Sequence, residues 1–373
     1  MIEKMQCDGW DMERTTDDDH WKEQFAREHE RLIAALGEIT DGGIVEHMEH
    51  VGATSVPGLL GQPCVDIALA VWPFPLEELA LQSLASMGYE LDPYFAGAPE
   101  QRFRHEGTTF RLYVVDAFSP LWMDYVLVRE YLRHDEAARQ AFSVRKQGWD
   151  SDIESTGYRE AKRQWFDLLL VDAHQSWIER EHFAPLHHVA EELRDFTYPW
   201  HICGGWALDV FLGRVTRVHH DVDVEVSRAD QLALQQYMTT RGWKMVTPFD
   251  ERLQPWPMHM RLEMPRHQVH AHRQGAFIDF LLADLDGGVW RYRRESSIIR
   301  DMSRAGLRSS EGIPFLAPEL VLLYKSKTTS GKERSKDKAD FEEVYLSLEP
   351  ERRMWLRLAL LVVDPSHPWI ERL

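Results

Sequence analysis

The sequence is poor in the features that mark disulfide-stabilised, secreted and membrane-spanning proteins. Its three cysteines, Cys7, Cys64 and Cys203, are too few and too far apart for a disulfide framework or a cysteine-based zinc site. No apolar run reaches the roughly 18–20 residues needed to span a bilayer. The acidic N-terminus also lacks the apolar stretch of a signal peptide. These absences predict a cytoplasmic protein with no membrane segment.

Positive charge is also scarce, and the net charge is −18. Residues 1–180 hold 33 Asp and Glu against 17 Lys and Arg, whereas residues 181–373 hold 28 against 26. Neither half has the basic surface that long nucleic acids select, so the composition disfavours a nucleic-acid partner. The acidity favours a cationic small substrate, although surface solubility explains it more simply.

The length of 373 residues predicts two domains. The best boundary is EHFAPLH at residues 181–187, after which the pattern of helices and strands restarts. We therefore expect one domain over residues 1–182 and a second over 183–373. Helical patterns cover residues 20–36, 76–87, most of 125–180, 186–196, 207–212, 231–240 and the region from 318. Strand patterns cover residues 44–51, 64–71, 110–115, 200–203, 221–226, 268–272 and 277–282.

The two halves form a weak internal repeat. Each has a strand, a glycine turn, a short helix and a strand that carries Asp, followed later by another strand. In the first half Gly52 precedes Asp66, and in the second Gly205 precedes Asp221. The repeat predicts two diverged copies of one α+β fold, each a small mixed sheet flanked by helices, with helical C-terminal parts.

The segment DVDVEV at residues 221–226 carries the strongest chemical signal. In a strand, Asp221, Asp223 and Glu225 share one face, while the valines share the other and can be buried. Carboxylates at positions i and i+2 provide the oxygen ligands that Mg²⁺ prefers. A further acid, Asp279, interrupts the apolar strand FIDFLL, which is costly unless the carboxylate faces a site.

A glycine pair precedes these acids. Gly204 and Gly205 stand at the start of a predicted helix, where backbone N–H groups can approach a phosphate without a Cβ in the way. Metal-binding carboxylates, backbone donors and an acid that handles a hydroxyl are the parts that nucleotidyl transfer requires.

The second half resembles the aminoglycoside 2''-adenylyltransferases, within the DNA polymerase β-like nucleotidyltransferase superfamily. The resemblance rests on GGWALD at residues 204–209, LGRVTR at 212–217, DVD at 221–223, HQV at 267–269, FIDFLL at 277–282, GIPFLAPELVLLYKSK at 312–327 and KDKADF at 336–341. It implies a transfer of AMP from ATP to a hydroxyl of a small molecule, with an aminoglycoside-like antibiotic as the leading candidate. Asp221, Asp223 and Asp279 are then the catalytic residues and Mg²⁺ ligands. Gly204 and Gly205 would cradle the triphosphate, with Arg217, Lys325 and Lys338 as phosphate contacts.

The first half resembles the GrpB-like (UPF0157) family, which is also assigned to the nucleotidyltransferase fold. The match rests on HVGATSVPGL at residues 50–59, QPCVDI at 62–67, REYLRHDEAARQAF at 129–142 and GYREAKRQWF at 157–166. Three positions depart from the family pattern: Gln62, Ala68 and the segment Arg111-Leu112-Tyr113. With Asp66 nearly alone, the first domain is expected to be catalytically degenerate and to bind or support rather than catalyse.

Several alternatives remain open from the sequence. Transfer of a nucleotide to a protein or a tRNA, or nucleotide binding without turnover, would use the same motifs. A zinc site lacks an evident fourth ligand, and an acceptor pocket competes with core or surface roles. The residues concerned are His267, His270 and His272 for zinc; Trp256, Trp290, Asp250, Glu251 and Glu263 for the acceptor; and the loop pair His219 and His220 for phosphate.

Overall fold

The structure is a computed structural model. It describes residues 13–14, 18–37, 45–61, 63–72, 74–95, 99–105, 107–117, 119–150, 158–249, 252–273, 276–327 and 333–373. The chain divides into two compact units, here called the first unit (residues 1–179 with 251–253) and the second unit (180–250 with 254–373). The division at residue 179 lies beside the segment 181–187 that the sequence marks as a boundary.

The first unit contains a five-stranded mixed sheet with helices. Its elements are β1 (Glu13–Arg14), α1 (Asp18–Gly37), β2 (Val45–Val51), a 3₁₀ turn (Ala53–Ser55), β3 (Leu60–Gly61), β4 (Val65–Val71), α2 (Glu78–Ser86), β5 (Tyr89–Leu91), β6 (Glu100–His105), β7 (Phe110–Asp116), α3 (Pro120–His134), α4 (Glu136–Asp150) and α5 (Tyr158–Glu181). The sheet order is β2-β4-β7-β6-β5, and only the β4–β7 pair is parallel.

The second unit contains a larger mixed sheet. Its elements are α6 (Ala184–Glu192), β8 (Trp200–Ile202), α7 (Gly204–Leu212), β9 (Asp223–Ser227), α8 (Gln231–Thr239), β10 (Lys244–Phe249), β11 (Arg252–Pro255), β12 (Gln268–Arg273), β13 (Ala276–Asp286), β14 (Val289–Arg291), β15 (Ile299–Asp301), α9 (Met302–Ala305), β16 (Gly306–Arg308), β17 (Pro314–Leu316), α10 (Pro318–Lys325), α11 (Ser335–Val344) and α12 (Pro350–Val363). The main path runs β11-β10-β12-β13-β9-β8-β17-β16, with β14 and β15 beyond β13.

Four strands follow the same plan in both units. The order β2-β4-β7-β6 in the first unit corresponds to β8-β9-β13-β12 in the second. In each, an antiparallel pair is followed by a parallel pair and then by another antiparallel pair. The α+β class predicted from the sequence is confirmed, and the internal repeat has a counterpart in strand order.

Burial explains why the strands at the centre of each sheet form. In β4 every residue except Asp66 is buried, and in β9 Val224 and Val226 are completely buried. Helix α7 is apolar around most of its surface, and Gly205 to Asp209 are buried within it. A helix with apolar residues on all sides belongs in the interior. The glycine pair at its N-terminus is therefore held on a rigid, packed element.

The sequence patterns located most elements but missed some boundaries. The strand expected from residue 221 begins at Asp223, and the helix expected over 186–196 runs from Ala184 to Glu192. Strands β14 to β17 have only three residues each, too short for a periodic pattern to identify them. Within the region 125–180, predicted to be mostly helical, residues 151–157 lie outside the described residues. Within the described part of the chain, no helix is long and apolar enough to cross a membrane.

A buried ion-pair network joins the helices of the second unit to its sheet. Glu319 in α10 is completely buried and accepts hydrogen bonds from Arg300 (3.0 Å) and from Arg352 in α12 (2.7 and 2.8 Å). Neutralising one member of a buried network leaves uncompensated charge on its partners.

We therefore expect Glu319→Gln to lower the free energy of unfolding by about 3–5 kcal/mol, measured by urea unfolding. Glu343→Gln is the matched control, because Glu343 pairs with Arg214 at the surface, where both side chains are about half exposed. Loss of that pair is expected to cost about 1 kcal/mol or less. Equal effects of the two substitutions would contradict the assignment of Glu319 as a buried anchor.

Candidate active site

Three carboxylates converge where two parallel strands of the second unit begin. β13 pairs with β9 so that Asp279 lies opposite Asp223, and Asp221 lies two residues before β9 starts. One ligand atom from each side chain lies within 4.8 Å of those of the other two. Asp221 is exposed, Asp223 is half-buried and Asp279 is buried. The cluster is therefore open to solvent on one side and closed on the other.

The electrostatics of this acid cluster (Asp221, Asp223 and Asp279) fit a bound cation. Burial, and then the charge of Asp221, raises the pKa of Asp223 to about 7. Burial and the charges of the other two acids raise the pKa of Asp279 well above its usual range. Asp279 Oδ2 accepts a hydrogen bond from Gln268 at 2.5 Å, while its buried Oδ1 accepts none from the described residues. Three hard oxygen donors and an unsatisfied buried oxygen suit Mg²⁺.

Gly204 allows the helix to start directly against the acid cluster. Its φ is +62°, in the left-handed region, and a Cβ built there would overlap the carboxylate of Asp223. The N–H of Cys203 donates to the carbonyl of Asp223 at 2.9 Å, which fixes the distance between the turn and β9. Glycine at residue 204 is thus required both by the backbone and by the space that Asp223 occupies.

A buried carboxylate braces the loop that leads to the acids. Asp209 in α7 accepts hydrogen bonds from the Thr216 hydroxyl at 2.6 Å and from His219 Nε2 at 2.7 Å. Trp206, in the same helix, donates its indole N–H to the carbonyl of Asp221 at 3.0 Å. The sequence reasoning gave Asp209 no role. The sequence did contain a signal for it, because Asp209 is the one acid in an otherwise apolar helix. A buried acid requires hydrogen-bond partners.

Two of the predicted phosphate contacts share one carboxylate partner near the acid cluster. Arg217 forms a bidentate pair with Asp340, at 2.9 and 3.1 Å, and Lys325 Nζ lies 2.7 Å from the same carboxylate. Burial opposes the charge of Asp340, but the hydrogen bonds and charges of Arg217 and Lys325 lower its pKa to about 2. Asp340 therefore stays ionised and holds both cations near the acid cluster.

The third predicted phosphate contact is placed differently. Lys336 and Lys338 are both exposed on α11, and the cations whose charges lower the pKa of Asp223 are Lys325, Lys336 and Arg217. Lys336 is therefore the α11 lysine whose charge acts on the acid cluster. The sequence reasoning missed this residue because the two lysines are separated by about half a helical turn, and the motif does not specify which one acts on the cluster.

The aromatic candidates for an acceptor pocket have partners in the interior. Trp290 is completely buried and donates to Glu225 Oε2 at 3.2 Å, and Trp256 donates to the carbonyl of Met260 at 2.7 Å. Burial raises the pKa of Glu225 to about 7. These contacts give both tryptophans core roles.

Of the acidic acceptor candidates, Glu263 is exposed at the surface, and Asp250 and Glu251 lie outside the described residues.

The histidines do not form a metal site with one another. His267 Nδ1 lies 2.8 Å from the carbonyl of Pro265, and His270 is buried opposite Asp279 with its Nε2 3.9 Å from Oδ1. Among the described residues, the acid cluster is the group of three close ligands, and it contains no histidine. His219 is bound to Asp209, and His220 is exposed.

The first unit repeats the glycine but not the acid cluster. Gly52 has a φ of +73°, and a Cβ there would overlap the carboxylate of Asp66, just as a Cβ at Gly204 would overlap the carboxylate of Asp223. Asp66 therefore occupies the position of Asp223 in the shared strand plan.

The two remaining ligand positions of the first unit carry different chemistry. Cys64 lies two residues before Asp66, and Arg111 lies opposite Asp66 on the parallel neighbour β7. The Tyr113 hydroxyl donates to Asp66 Oδ1 at 3.0 Å. A thiol and a guanidinium thus replace two carboxylates, and the remaining carboxylate has protein partners.

The raised pKa values predict how pH affects the stability of the metal-free protein. Asp223 titrates near 7 in the folded chain against 3.8 as a free side chain, so the folded state binds its proton more tightly. The resulting stabilisation is complete below the lower value and is lost as the pH rises through about 7, and Glu225 acts in the same direction. In EDTA we expect the melting temperature to fall between about pH 5 and pH 8.

Added Mg²⁺ is expected to raise the melting temperature more at pH 8 than at pH 5, because protons compete with the metal for the carboxylates. Asp223→Asn should abolish most of this metal-dependent increase. Equal stabilisation of the variant and the original protein by Mg²⁺ would exclude the acid cluster as the metal site.

Gly204→Ala separates backbone strain from the clash with Asp223. The matched control is Gly213→Ala, because Gly213 has a similar φ of +70° but no atom within 4 Å of the Cβ position. Both substitutions should cost about 1–3 kcal/mol of stability through strain. Only Gly204→Ala should also weaken Mg²⁺ stabilisation in the same melting assay. Similar loss of the metal effect in both variants would refute the proposed steric role.

Comparison with known proteins gives two consecutive family matches. Residues 13–171 match the family model described as GrpB protein, and residues 185–341 match the one described as Aminoglycoside-2''-adenylyltransferase. A UPF0157 protein of Streptomyces coelicolor is 34% identical over 125 residues, which are 34% of this chain and 63% of that protein. The chain thus spans less than two thirds of the length of this relative.

Two solved structures resemble parts of the chain. The conserved protein GrpB from Enterococcus faecalis is 21% identical with a TM-score of 0.37, covering 44% of this chain and 96% of its own. ANT(2'')-Ia in complex with adenylyl-2''-tobramycin is 16% identical with a TM-score of 0.36, covering 48% of this chain and 97% of its own. By its family matches, the chain carries a GrpB domain at residues 13–171 followed by an aminoglycoside-2''-adenylyltransferase domain at residues 185–341.

Proposed function

We propose that the second unit is a Mg²⁺-dependent nucleotidyltransferase that moves AMP from ATP to a hydroxyl of a small molecule, with an aminoglycoside-like antibiotic as the leading acceptor. The observation that carries the proposal is the convergence of Asp221, Asp223 and Asp279 beside Gly204. Arg217 and Lys325, which both pair with Asp340, lie close enough to the cluster to lower the pKa of Asp223. Metal ligands and phosphate-binding cations are therefore neighbours.

The acid cluster would hold the metal. Its carboxylates offer hard oxygen ligands, and the unsatisfied Oδ1 of Asp279 provides a further acceptor. When bound, Mg²⁺ would supply neutralisation of triphosphate charge and polarisation of the phosphoryl oxygens. At neutral pH the raised pKa of Asp223 means that metal binding must displace a proton from the cluster.

The chain's own groups would position the triphosphate. The N–H groups at Gly204 and Gly205 open α7, where the partial positive charge of the helix favours a phosphate. The guanidinium of Arg217 and the ammonium of Lys325 are held by Asp340, so little order is lost when phosphate binds. Preorganised donors of this kind stabilise charge that develops on the phosphoryl oxygens.

Asp279 is the proposed proton acceptor for the attacking hydroxyl. Its carboxylate lies beside the other two acids, and its Oδ1 accepts no hydrogen bond from the described residues, so that oxygen is available to take a proton. The acceptor oxygen forms a bond to the α-phosphorus while the bond from that phosphorus to the bridging oxygen breaks. Pyrophosphate leaves with the electron pair of the broken bond, and Asp279 takes the hydroxyl proton.

The acceptor class is supported by family and by charge. The family model matched by residues 185–341 is described by its 2''-adenylyltransferase activity on aminoglycosides, which are small molecules. Residues 181–373 hold 28 acidic against 26 basic side chains, a balance that does not favour RNA. An ATP-dependent reaction of this kind is also consistent with the cytoplasmic location that we propose.

The first unit is proposed to be a nucleotidyltransferase-fold domain without this catalysis. Its ligand positions hold Cys64 and Arg111, and its remaining acid, Asp66, is bonded to Tyr113. A guanidinium at the position of a metal ligand repels a divalent cation. We therefore assign turnover to residues 183–373 and a binding or supporting role to residues 1–182.

Asp223→Asn is expected to reduce pyrophosphate release by about a thousandfold or more, since it removes a charged ligand at the reacting centre. The screen pairs each of the four nucleoside triphosphates with aminoglycosides and lincosamides. Asp195→Asn is the control, because Asp195 is largely exposed and pairs with Arg241 at 3.6 Å. Full activity of Asp223→Asn would overturn the assignment of the cluster.

Labelled ATP incubated with a cell lysate distinguishes the acceptor classes. Label in small molecules supports the proposal. Label in protein or RNA would show that the chain transfers a nucleotide but that its acceptor is a macromolecule. Binding of MgATP by calorimetry without pyrophosphate release would instead indicate a regulatory protein that does not turn over.

A further inference from the structure

A basic cavity lies at the edge strand of the sheet in the first unit. It has a volume of about 460 Å³ and lies among α1, β2, the 3₁₀ turn and the junction of α3 with α4. Its lining side chains are mostly cations, imidazoles and hydroxyls: Lys22, His50, Thr54, Ser55, Pro57, Arg133, His134 and Arg139. No carboxylate is among these described lining residues.

The charge of this cavity contrasts with that of the surrounding domain. Residues 1–180 carry 33 acidic against 17 basic side chains, yet one lysine and two arginines meet here. The pKa of His50 falls to about 4, because burial and the charges of Arg133 and Arg129 disfavour its cation. Three cations therefore converge here within an acidic domain, and two of them also have carboxylate partners, Lys22 with Asp19 and Arg133 with Glu130.

The floor of the cavity is fixed by buried hydrogen bonds. His50 Nε2 lies 3.0 Å from the Thr54 hydroxyl, which donates to the carbonyl of Cys64 at 2.7 Å. The Ser55 hydroxyl donates to the carbonyl of Gly52 at 2.6 Å. The 3₁₀ turn is thus held rigidly against β2 and does not need to reorganise when a ligand enters.

Both arginines are oriented by backbone carbonyls. Arg133 Nε and Nη2 donate to the carbonyl of Ser55 at 2.9 and 2.7 Å, and its Nη1 donates to Glu130 at 2.9 Å. Arg139 Nη1 donates to the carbonyls of Leu132 and Arg133, at 2.9 and 2.7 Å. A guanidinium has five N–H donors, so these bonds to Arg139 leave its Nε and Nη2 hydrogens for another acceptor. Oriented guanidinium groups match the geometry of phosphate oxygens.

The cavity is distinct from the counterpart of the catalytic cleft. Val51 pairs across the strands with Asp66, and His50 pairs with Ile67. Because successive side chains of a strand point to opposite faces, His50 and Asp66 lie on opposite faces of the sheet. The ligand of this cavity therefore does not use the position that corresponds to the acid cluster.

We propose that this cavity binds a phosphate group without a metal ion, either as inorganic phosphate or as a phosphate monoester. The lysine and the two arginines neutralise the dianion, and the buried turn supplies a rigid floor. This assigns the first unit a ligand site of its own and does not depend on the function proposed for the second unit.

The test is calorimetric titration of the whole chain in EDTA with inorganic phosphate and, separately, with adenosine monophosphate. Lys22→Ala and Arg139→Gln should each weaken binding roughly tenfold, the effect expected for loss of one charged hydrogen-bond donor. Arg27→Ala is the matched control, because Arg27 is an exposed cation on the same helix as Lys22 but does not line the cavity. It should leave the affinity unchanged.

Lys325→Met tests whether the phosphate binds to the second unit instead of the cavity in the first. Unchanged phosphate binding in this variant, together with weaker binding in Lys22→Ala, supports the proposal. Tighter binding of adenosine monophosphate than of phosphate, sensitive to Lys22→Ala, identifies a monoester, whereas equal affinities identify the free anion. Binding that is lost only in Lys325→Met, or no measurable binding in EDTA, overturns the proposal. Lys22 is exposed at the surface, so its variant remains informative if Arg139→Gln is unstable.

Discussion

Mutual repulsion among three carboxylates is the constraint around which the second unit is organised. Asp221, Asp223 and Asp279 share a space in which each ligand atom lies within 4.8 Å of the others, and burial raises the cost of every charge. Without a cation, the folded chain lowers that cost by holding protons on Asp223 and Asp279. A divalent ion would remove the same repulsion, and this is the physical basis of the proposed metal site.

The fold maintains this unfavourable arrangement through packing elsewhere. The parallel pairing of β9 and β13 fixes Asp223 opposite Asp279, and the buried valines on β9 hold that register. Gly204 lets α7 approach without a Cβ, so the same turn offers backbone N–H groups. Asp340 has the reverse environment, since Arg217 and Lys325 keep it ionised. Asp340 therefore holds Arg217 and Lys325 near the acid cluster, where their charges offset part of the repulsion.

Sequence reasoning reached the features that depend on local pattern. Alternation identified the acids of β9, and the break in an apolar strand identified Asp279. Contacts between distant segments were not accessible in this way: Arg217 and Asp340 are 123 residues apart, and nothing near either predicts their pairing. The phase of α11 was equally undetermined, so the motif suggested Lys338 while the structure directs the charge of Lys336 toward Asp223. The tryptophans proposed for an acceptor pocket were indistinguishable by sequence from core residues.

The two units indicate how one strand plan supports different chemistry. The glycine that faces an aspartate is kept in both, because removing it would push a Cβ into a carboxylate. The neighbouring ligand positions are free to change, since the strand register survives whichever side chain they carry. In the first unit the guanidinium of Arg111 beside Asp66 supplies internally the positive charge that, under the proposed function, a metal ion would supply in the second unit. Because a guanidinium stands there in place of a carboxylate, the repulsion is absent from the first unit. The need for a metal ion, on which the proposed reaction depends, is absent with it.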